Sequence, residues 1–166
     1  MSQRPEFLTE YELEVFRLVN EGKDAQQIAD DLNRNEKLNK DKQGKKIERS
    51  PENIRKTKVV VRKKLERELR KIAEANRLDL DLAKMPKDTG LLIAFDWVHN
   101  TKVYLIYTRE LGVVAWWEHL CSDRCQHRCQ STLDLILRER QIELPPEIKD
   151  KVILDQFREA IAIIQR

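Results

Sequence analysis

The sequence predicts an α+β protein: an all-helical N-terminal domain, a long linking helix, and a C-terminal domain with a small antiparallel sheet and two helices. Capping signals and apolar residues at helical spacing dominate the first half of the 166 residues. β-branched and aromatic segments separated by short turns follow, and helical spacing then returns. We place the N-terminal domain at residues 1–78, a linker at 79–90, and an effector or dimerisation domain with a cysteine cluster at 91–166.

Charge is distributed unevenly along the chain. The formal net charge is only +3, but residues 34–71 contain 16 Lys or Arg against six Asp or Glu. A local basic excess of this kind indicates an acidic partner such as nucleic acid more strongly than the net charge does. The glycine-rich phosphate loops and nucleophile motifs of common enzyme classes are not found in the sequence, so we expect a protein that is not an enzyme.

The expected location is the cytoplasm, with no membrane association. The first residues, MSQRPEFLTEYELE, acquire acidic side chains early and contain no apolar core of signal-peptide length. Nowhere do about 18 apolar residues run together, as a membrane-spanning helix requires. The three cysteines are crowded into nine residues and form no disulfide framework, which favours thiols or metal ligation.

Two capping boxes predict the starts of the first two helices. Thr9 is followed three residues later by Glu12, and Asp24 is followed three residues later by Gln27. In a capping box the two side chains satisfy each other's free backbone N–H groups at the first turn. We therefore expect one helix to begin after Thr9 and a second, of about two turns, to begin after Asp24.

A third helix is predicted after a basic loop. Residues 34–49 are polar, contain one glycine and predict a mobile loop. Ser50 is a suitable N-cap, and Pro51 fits the first helical position, where its missing N–H costs nothing. Apolar residues then return to one side of the chain as far as about Arg77, which predicts one long helix.

The second half predicts a three-stranded meander followed by two helices. The strand segments are LLIAFDWV (91–98), KVYLIYT (102–108) and VVAWWEHL (113–120). They are β-branched and aromatic, and turn residues separate them. The helices are expected at about 123–140 and 147–165.

The first half resembles the helix-turn-helix domain of LuxR-type transcriptional regulators, which is related to the DNA-binding region of sigma factors. The resemblance covers residues 8–65 and rests on the segments LTEYELEVFRLVNEGKDAQQIADDL and SPENIRKTKVVVRKKL. The family joins its second helix to the recognition helix by a tight turn, whereas about fifteen residues intervene here. The residues that match the core and caps of the family are Leu8, Thr9, Glu12, Glu14, Val15, Leu18, Gly22, Ile28, Ala29, Leu32, Ser50, Ile54, Arg55, Val61, Lys64 and Leu65.

The resemblance implies a sequence-specific regulator that binds double-stranded DNA as a homodimer, with residues 51–65 as the recognition helix in the major groove. Ile54, Val61 and Leu65 would face the core. The residues expected to contact bases or phosphates are Lys45, Lys46, Arg49, Ser50, Asn53, Arg55, Lys56, Lys58, Arg62 and Lys63. Two alternatives stay open. The cationic face of the helix could simply be solvated. The protein could also be a sigma-like adaptor that binds RNA polymerase or another protein, with the C-terminal domain as a metal- or redox-responsive interaction module.

The segment HLCSDRCQHRC suggests a metal site. Cys121, Cys125 and Cys129 are spaced four residues apart, and on one straight helix the outer two would lie about 12 Å apart, too far to share an ion with bonds near 2.3 Å. A single site therefore requires Cys121 to bend back towards the helix that carries Cys125 and Cys129, and His119 is then the fourth candidate ligand. His127 points about 200° away from its cysteine neighbours and is a poorer candidate. Zinc or an iron-sulfur cluster would suit these ligands.

Two other roles for the cysteines are open at this point. Cysteine is commonly a small buried apolar residue, and spacing by four can simply mark the inner face of a helix. Alternatively, neighbouring arginines could lower the pKa of a thiol and make it redox-sensitive, including by pairing between subunits.

Overall fold

The computed structural model confirms a mixed helix and sheet architecture, with six helices and one four-stranded antiparallel sheet in the part of the chain that it describes. The chain divides into two compact units, Met1–Leu65 and Glu66–Arg166. The described residues are 7–41, 43–80, 88–119, 122 and 124–166.

The first unit contains helices α1 (Glu10–Asn20) and α2 (Ala25–Arg34) and the first part of α3 (Pro51–Ala75). Both predicted capping boxes are present, and each helix begins at the residue after its cap. The core of this unit consists of buried apolar side chains from all three helices: Val15, Leu18, Ile28, Ala29, Leu32 and Ile54.

The segment between α2 and α3 is a short hairpin rather than the loop without fixed structure that the sequence predicts. Lys40 and Lys46 form an antiparallel bridge. The side chain of Asn33 accepts a hydrogen bond from the N–H of Arg49 at 2.7 Å and donates to its carbonyl at 3.0 Å. Asn39 is buried and donates to the Asn33 carbonyl at 2.9 Å. Two asparagines thus tie the ends of the segment together.

The second unit begins inside α3, ahead of the linker at 79–90 that the sequence predicts. Leu69 and Ala73 of α3 are fully buried in a core that also contains Leu92 and Leu105 of the sheet. Burial of these helical side chains against the sheet explains why the end of α3 belongs to the second unit.

The sheet has the order β1-β2-β3-β4, with every neighbouring pair antiparallel. Its strands are β1 (Asp79–Leu80), β2 (Leu91–Asp96), β3 (Thr101–Thr108) and β4 (Gly112–Trp117). The predicted meander is confirmed as β2, β3 and β4. Asp79 and Leu80, at the start of the predicted linker, form an edge strand on β2, and residues 81–87 of that linker lie outside the described residues.

Helices α4 (Gln126–Arg140), α5 (Pro146–Lys149) and α6 (Ile153–Ile164) follow the sheet. The second predicted helix is therefore interrupted. The Gln156 side chain donates to the carbonyls of Lys149 and Lys151 at the break, at 3.0 and 2.7 Å. Satisfying these carbonyls helps the chain to leave one helix and start the next.

The two faces of the sheet are covered by different helices of the second unit. Leu92 and Leu105 belong to the core with the end of α3, whereas Tyr104 and Trp116 belong to a core with Phe157 of α6. The Trp116 and Phe157 rings stack with centroids 3.7 Å apart. Within the described ranges, no helix combines the length and the apolar character that crossing a bilayer requires.

Candidate functional site

A turn at the end of the sheet brings one histidine and two cysteines together. His119 lies two residues beyond β4, Cys125 is the N-cap residue of α4, and Cys129 is one helical turn further on. The turn is held by the Ser122 carbonyl, which accepts hydrogen bonds from the N–H groups of Cys125 and Gln126 at 3.0 and 2.9 Å. The predicted bend of the chain at Cys121 lies outside the described residues, but His119 does lie beside the start of α4. We call His119, Cys125 and Cys129 the thiol-imidazole cluster.

The ligand atoms of the thiol-imidazole cluster converge on one point. His119 Nε2 lies 3.4 Å from Cys125 Sγ and 3.6 Å from Cys129 Sγ, and the three atoms all lie within 4.8 Å of one another. A tetrahedral zinc ion with bonds of about 2.3 Å to sulfur and 2.0–2.1 Å to nitrogen would hold these nitrogen and sulfur atoms about 3.6 Å apart. These side chains are thus close enough to hold a metal ion.

The backbone orients the histidine for this role. His119 Nδ1 is hydrogen-bonded to the Trp117 carbonyl, which can only accept, so Nδ1 carries the proton. In the neutral ring Nε2 then presents its lone pair to the two sulfurs. A histidine ligand whose other nitrogen donates to a carbonyl is the usual arrangement around protein-bound metals.

The electrostatics of the cluster favour a deprotonated thiol. The hydrogen bond between His119 and Cys125 lowers the pKa of Cys125 to about 7, and hydrogen bonds at Ser122 act in the same direction. The hydrogen bond to the Trp117 carbonyl raises the pKa of His119. Because a metal binds the thiolate, a Cys125 pKa near neutrality lowers the cost of ligation.

The other sequence-based expectations for this region have different outcomes. Cys121, the remaining predicted ligand, lies outside the described residues. His127, the poorer candidate, is exposed on α4 and is not part of the cluster. Cys125 and Cys129 are free thiols, and Cys129 is 6% exposed in the same core as Leu133. The burial of Cys129 also fits the buried-thiol alternative.

The first half of α3 presents a cationic face to solvent. Arg55, Lys56 and Lys63 are exposed, while Ile54 and Leu65 are buried on the other side of the helix. We call the exposed stripe of Arg55, Lys56, Val59, Val60 and Lys63 the α3 outer face. These five side chains lie on one side of the helix, because residues three or four positions apart, such as 55 and 59 or 56, 60 and 63, share a helix face.

Most of the cations of this region are available to a partner. Among the described residues, no carboxylate lies within 4.0 Å of the charged groups of Arg55, Lys58 or Lys63. Lys56 pairs with Glu52 at 2.8 Å, but both side chains are more than 70% exposed, so the pair is weak. Lys58 and Arg62 are partly buried at the edge of the apolar stripe.

The remaining predicted contact residues fall into two groups. Lys45 and Lys46 are exposed on the hairpin, and Asn53 is exposed near the start of α3. Arg49 instead stacks over the Tyr11 ring at 4.2 Å and donates to the Leu38 carbonyl at 3.2 Å, so it stabilises the hairpin.

Ser50 has a local structural role at the start of α3. Its hydroxyl accepts a hydrogen bond from the Asn53 N–H at 3.3 Å, which confirms it as a helix cap. This bond does not involve the outer side of the helix where Arg55 lies.

Two features of the first unit were not predicted from the sequence. Val59 and Val60 are 42% and 45% exposed on the α3 outer face. The run of three valines was the available signal, because consecutive helical residues point about 100° apart and cannot all face one core. The second feature is the ion pair of Lys64 with Glu12, in which the ammonium lies 2.8 Å from both carboxylate oxygens.

Comparison of the chain with protein-family models, curated proteins and solved structures found no match.

Proposed function

We propose that this protein binds double-stranded DNA and acts as a transcriptional regulator, with residues 51–65 as the recognition helix. The observation that carries the proposal is the α3 outer face, where Arg55 and Lys63 are exposed and unpaired among the described residues. An α-helix fits the major groove, and Lys and Arg on it can contact bases and phosphates. The resemblance of residues 8–65 to LuxR-type domains points the same way.

The apolar residues of the α3 outer face fit the same partner. Val59 and Val60 interrupt the cationic stripe, and aliphatic side chains can contact the methyl group of thymine in the major groove. The exposed Lys45 and Lys46 of the hairpin would add phosphate contacts. A single module of this size covers few base pairs, so the proposal includes a homodimer on two half-sites.

The test is the salt dependence of binding to a labelled pool of random duplex DNA, measured by fluorescence anisotropy. With about six phosphate contacts, affinity should fall roughly a thousandfold between about 50 and 200 mM salt. On a site selected from the pool, Arg55→Ala should cost about 1–3 kcal/mol if the side chain contacts a base. An affinity for the pool that does not change with salt would contradict the proposal and favour the adaptor alternative, in which an apolar interface binds RNA polymerase or another protein.

A metal centre in the second unit is a second candidate function, favoured by the ligand spacing of the thiol-imidazole cluster. We propose Zn²⁺ held by His119, Cys125 and Cys129, with the fourth position taken by water or another ligand. A single ion suits the site better than an iron-sulfur cluster. All three ligand atoms lie within 4.8 Å, whereas in a [2Fe–2S] or [4Fe–4S] cluster three protein ligands bind at least two different iron atoms and are spread further apart.

Metal analysis of protein purified without oxygen and without chelator tests this second candidate. We expect about one zinc per chain, a large loss of zinc in His119→Gln, and full occupancy in His127→Gln, the matched control on an exposed histidine. Zinc below about 0.1 per chain after reconstitution would leave the cysteines as ordinary thiols.

A further inference from the structure

A cleft in the second unit has the size and lining of a small-molecule site. It has a volume of about 860 Å³, within the range of about 300–1,000 Å³ that is usual for ligand pockets. It lies between one face of the sheet and the second half of α6. Its apolar lining is Ile93, Phe95, Trp97 and Tyr104 from the sheet with Ile161 and Ala162 from α6.

The strand register explains the concentration of aromatic side chains in the cleft. Phe95 lies opposite Lys102, and Ile93 lies opposite Tyr104, so the members of each pair share one face of the sheet. Trp97 is the first residue after β2, and its ring meets that of Phe95 edge to face with centroids 4.6 Å apart, so the two side chains lie on the same side. Trp97 is nevertheless 70% exposed, which leaves most of its surface available to a ligand.

The charged groups of the cleft differ in whether they already have partners. Asp79 accepts a hydrogen bond from Trp97 Nε1 at 3.1 Å. Glu118 accepts from Arg158 Nε at 2.6 Å and from the Tyr104 hydroxyl at 3.4 Å. Both carboxylates are thus engaged by groups of the cleft itself.

Lys102 is the exception among these groups. In the part of the chain that the structure describes, no carboxylate lies within 4.0 Å of its ammonium group. A ligand that enters the cleft therefore meets aromatic surface together with an ammonium group that no carboxylate of the described residues pairs.

We infer that this cleft binds a small aromatic anion, with its ring against Phe95 and Trp97 and its anionic group at Lys102. A flat ring buries apolar surface and meets the aromatic side chains in offset or edge-to-face geometry. A carboxylate or similar anion gains a charge-assisted hydrogen bond from the ammonium. Neither DNA nor the thiol-imidazole cluster takes part in this binding, so it is tested independently of both.

The test uses three probes on the full chain: naphthalene-2-carboxylate, naphthalene-2-methylamine and cyclohexanecarboxylate. Binding is followed by the shift of the Trp97 indole N–H signal in ¹H–¹⁵N spectra, assigned as the signal lost in Trp97→Phe. We expect a saturable shift with the aromatic carboxylate, and affinity at least about tenfold lower for the amine and for the probe without an aromatic ring. Equal affinities for the amine and the carboxylate, or no saturable shift at about 5 mM probe, would overturn the inference.

Matched variants locate the site. Lys102→Gln should weaken binding of naphthalene-2-carboxylate about tenfold, whereas Lys149→Gln, which removes an exposed cation outside the cleft, should change it less than about twofold. Ala162→Trp should fill the cleft and abolish the shift, while unchanged indole signals of Trp116 and Trp117 show that the unit is folded. Binding that survives Ala162→Trp, or that responds equally to the two lysine substitutions, would place the probe elsewhere and refute the assignment.

Discussion

Zinc should stabilise the second unit against heat, and this stabilisation should depend on the thiol-imidazole cluster. A ligand that binds only the folded state stabilises it by RT ln(1 + [L]/Kd), which is about 2.7 kcal/mol when free zinc is one hundred times Kd. The metal would connect His119, just after the last strand, to the first turn of α4 through Cys125 and Cys129. Opening of this turn would then require loss of the metal.

The expected rise in melting temperature follows from this stabilisation and the size of the second unit. The unit runs from residue 66 to 166, and at about 2.1 cal/mol/K per residue its unfolding entropy is about 0.21 kcal/mol/K. A stabilisation of about 2.7 kcal/mol therefore raises the melting temperature by about 13 °C.

Tryptophan fluorescence is the appropriate assay, because all three tryptophans lie in the second unit. Trp116 is also placed to sense the metal directly, since its ring lies 5.5 Å from the His119 ring. Melting with and without zinc should show the rise in wild type and in His127→Gln, and little or no rise in His119→Gln. The reasoning is refuted if wild type shows no rise, or if His119→Gln gains as much as wild type.

Two further predictions concern the internal charges of the two units. Lys64→Met should destabilise the first unit by about 1–3 kcal/mol in chemical denaturation, because the carboxylate of Glu12, only 11% exposed, loses its ammonium partner. The control Lys63→Met, on the exposed side of α3, should stay within about 0.5 kcal/mol of wild type. Equal losses of stability in the two variants would contradict a stabilising role for the Lys64–Glu12 pair. Asp96 has its pKa lowered to about 2, chiefly by the hydrogen bond from the His99 side chain, so its contribution to stability is complete above about pH 4 and is lost as the pH falls towards 2. Asp96→Asn should flatten the dependence of stability on pH in that window, and an unchanged slope in urea unfolding at successive pH values would count against this.

The helix starts were predictable because their causes are local. Each capping box is formed by two residues three positions apart, Thr9 with Glu12 and Asp24 with Gln27. Both partners of these hydrogen bonds lie within one helical turn, so the sequence pattern alone identifies the interaction. The spacing of Cys125 and Cys129 is local in the same sense. Its alignment on one side of α4 was therefore foreseeable.

Features that depend on distant partners were missed or only conditionally predicted. Asp79 and Leu80 form a strand on the edge of β2, and the alternation of leucine with aspartate at residues 78–82 was a strand signal that the linker prediction did not use. The hairpin before α3 depends on hydrogen bonds between Asn33 and Arg49, sixteen residues apart in the chain. His119 was predicted as a ligand only if the chain bent back at Cys121, and its approach to Cys125 and Cys129 depends on where the end of β4 lies relative to α4.

The sequence predicted the local excess of positive charge, but it did not predict which of these side chains are exposed on the surface. Burial of Ile54 and Leu65 decides which cations of α3 face solvent, and stacking on Tyr11 turns Arg49 away from the role that its charge suggested. The cleft at Trp97 had no signal in the sequence, because it depends on the strand register and on the position of α6.

DNA binding through the α3 outer face is tested most directly by comparing the salt dependence of two variants that each lose two positive charges. Arg55→Ala with Lys63→Ala removes two cations from the outer face, and Lys149→Ala with Lys151→Ala removes two exposed cations from the second unit. If the outer face contacts phosphates, the first variant should lower the slope of log affinity against log salt by about 1.8 and the second should leave it unchanged. Identical slopes for wild type and both variants would contradict DNA binding by this helix.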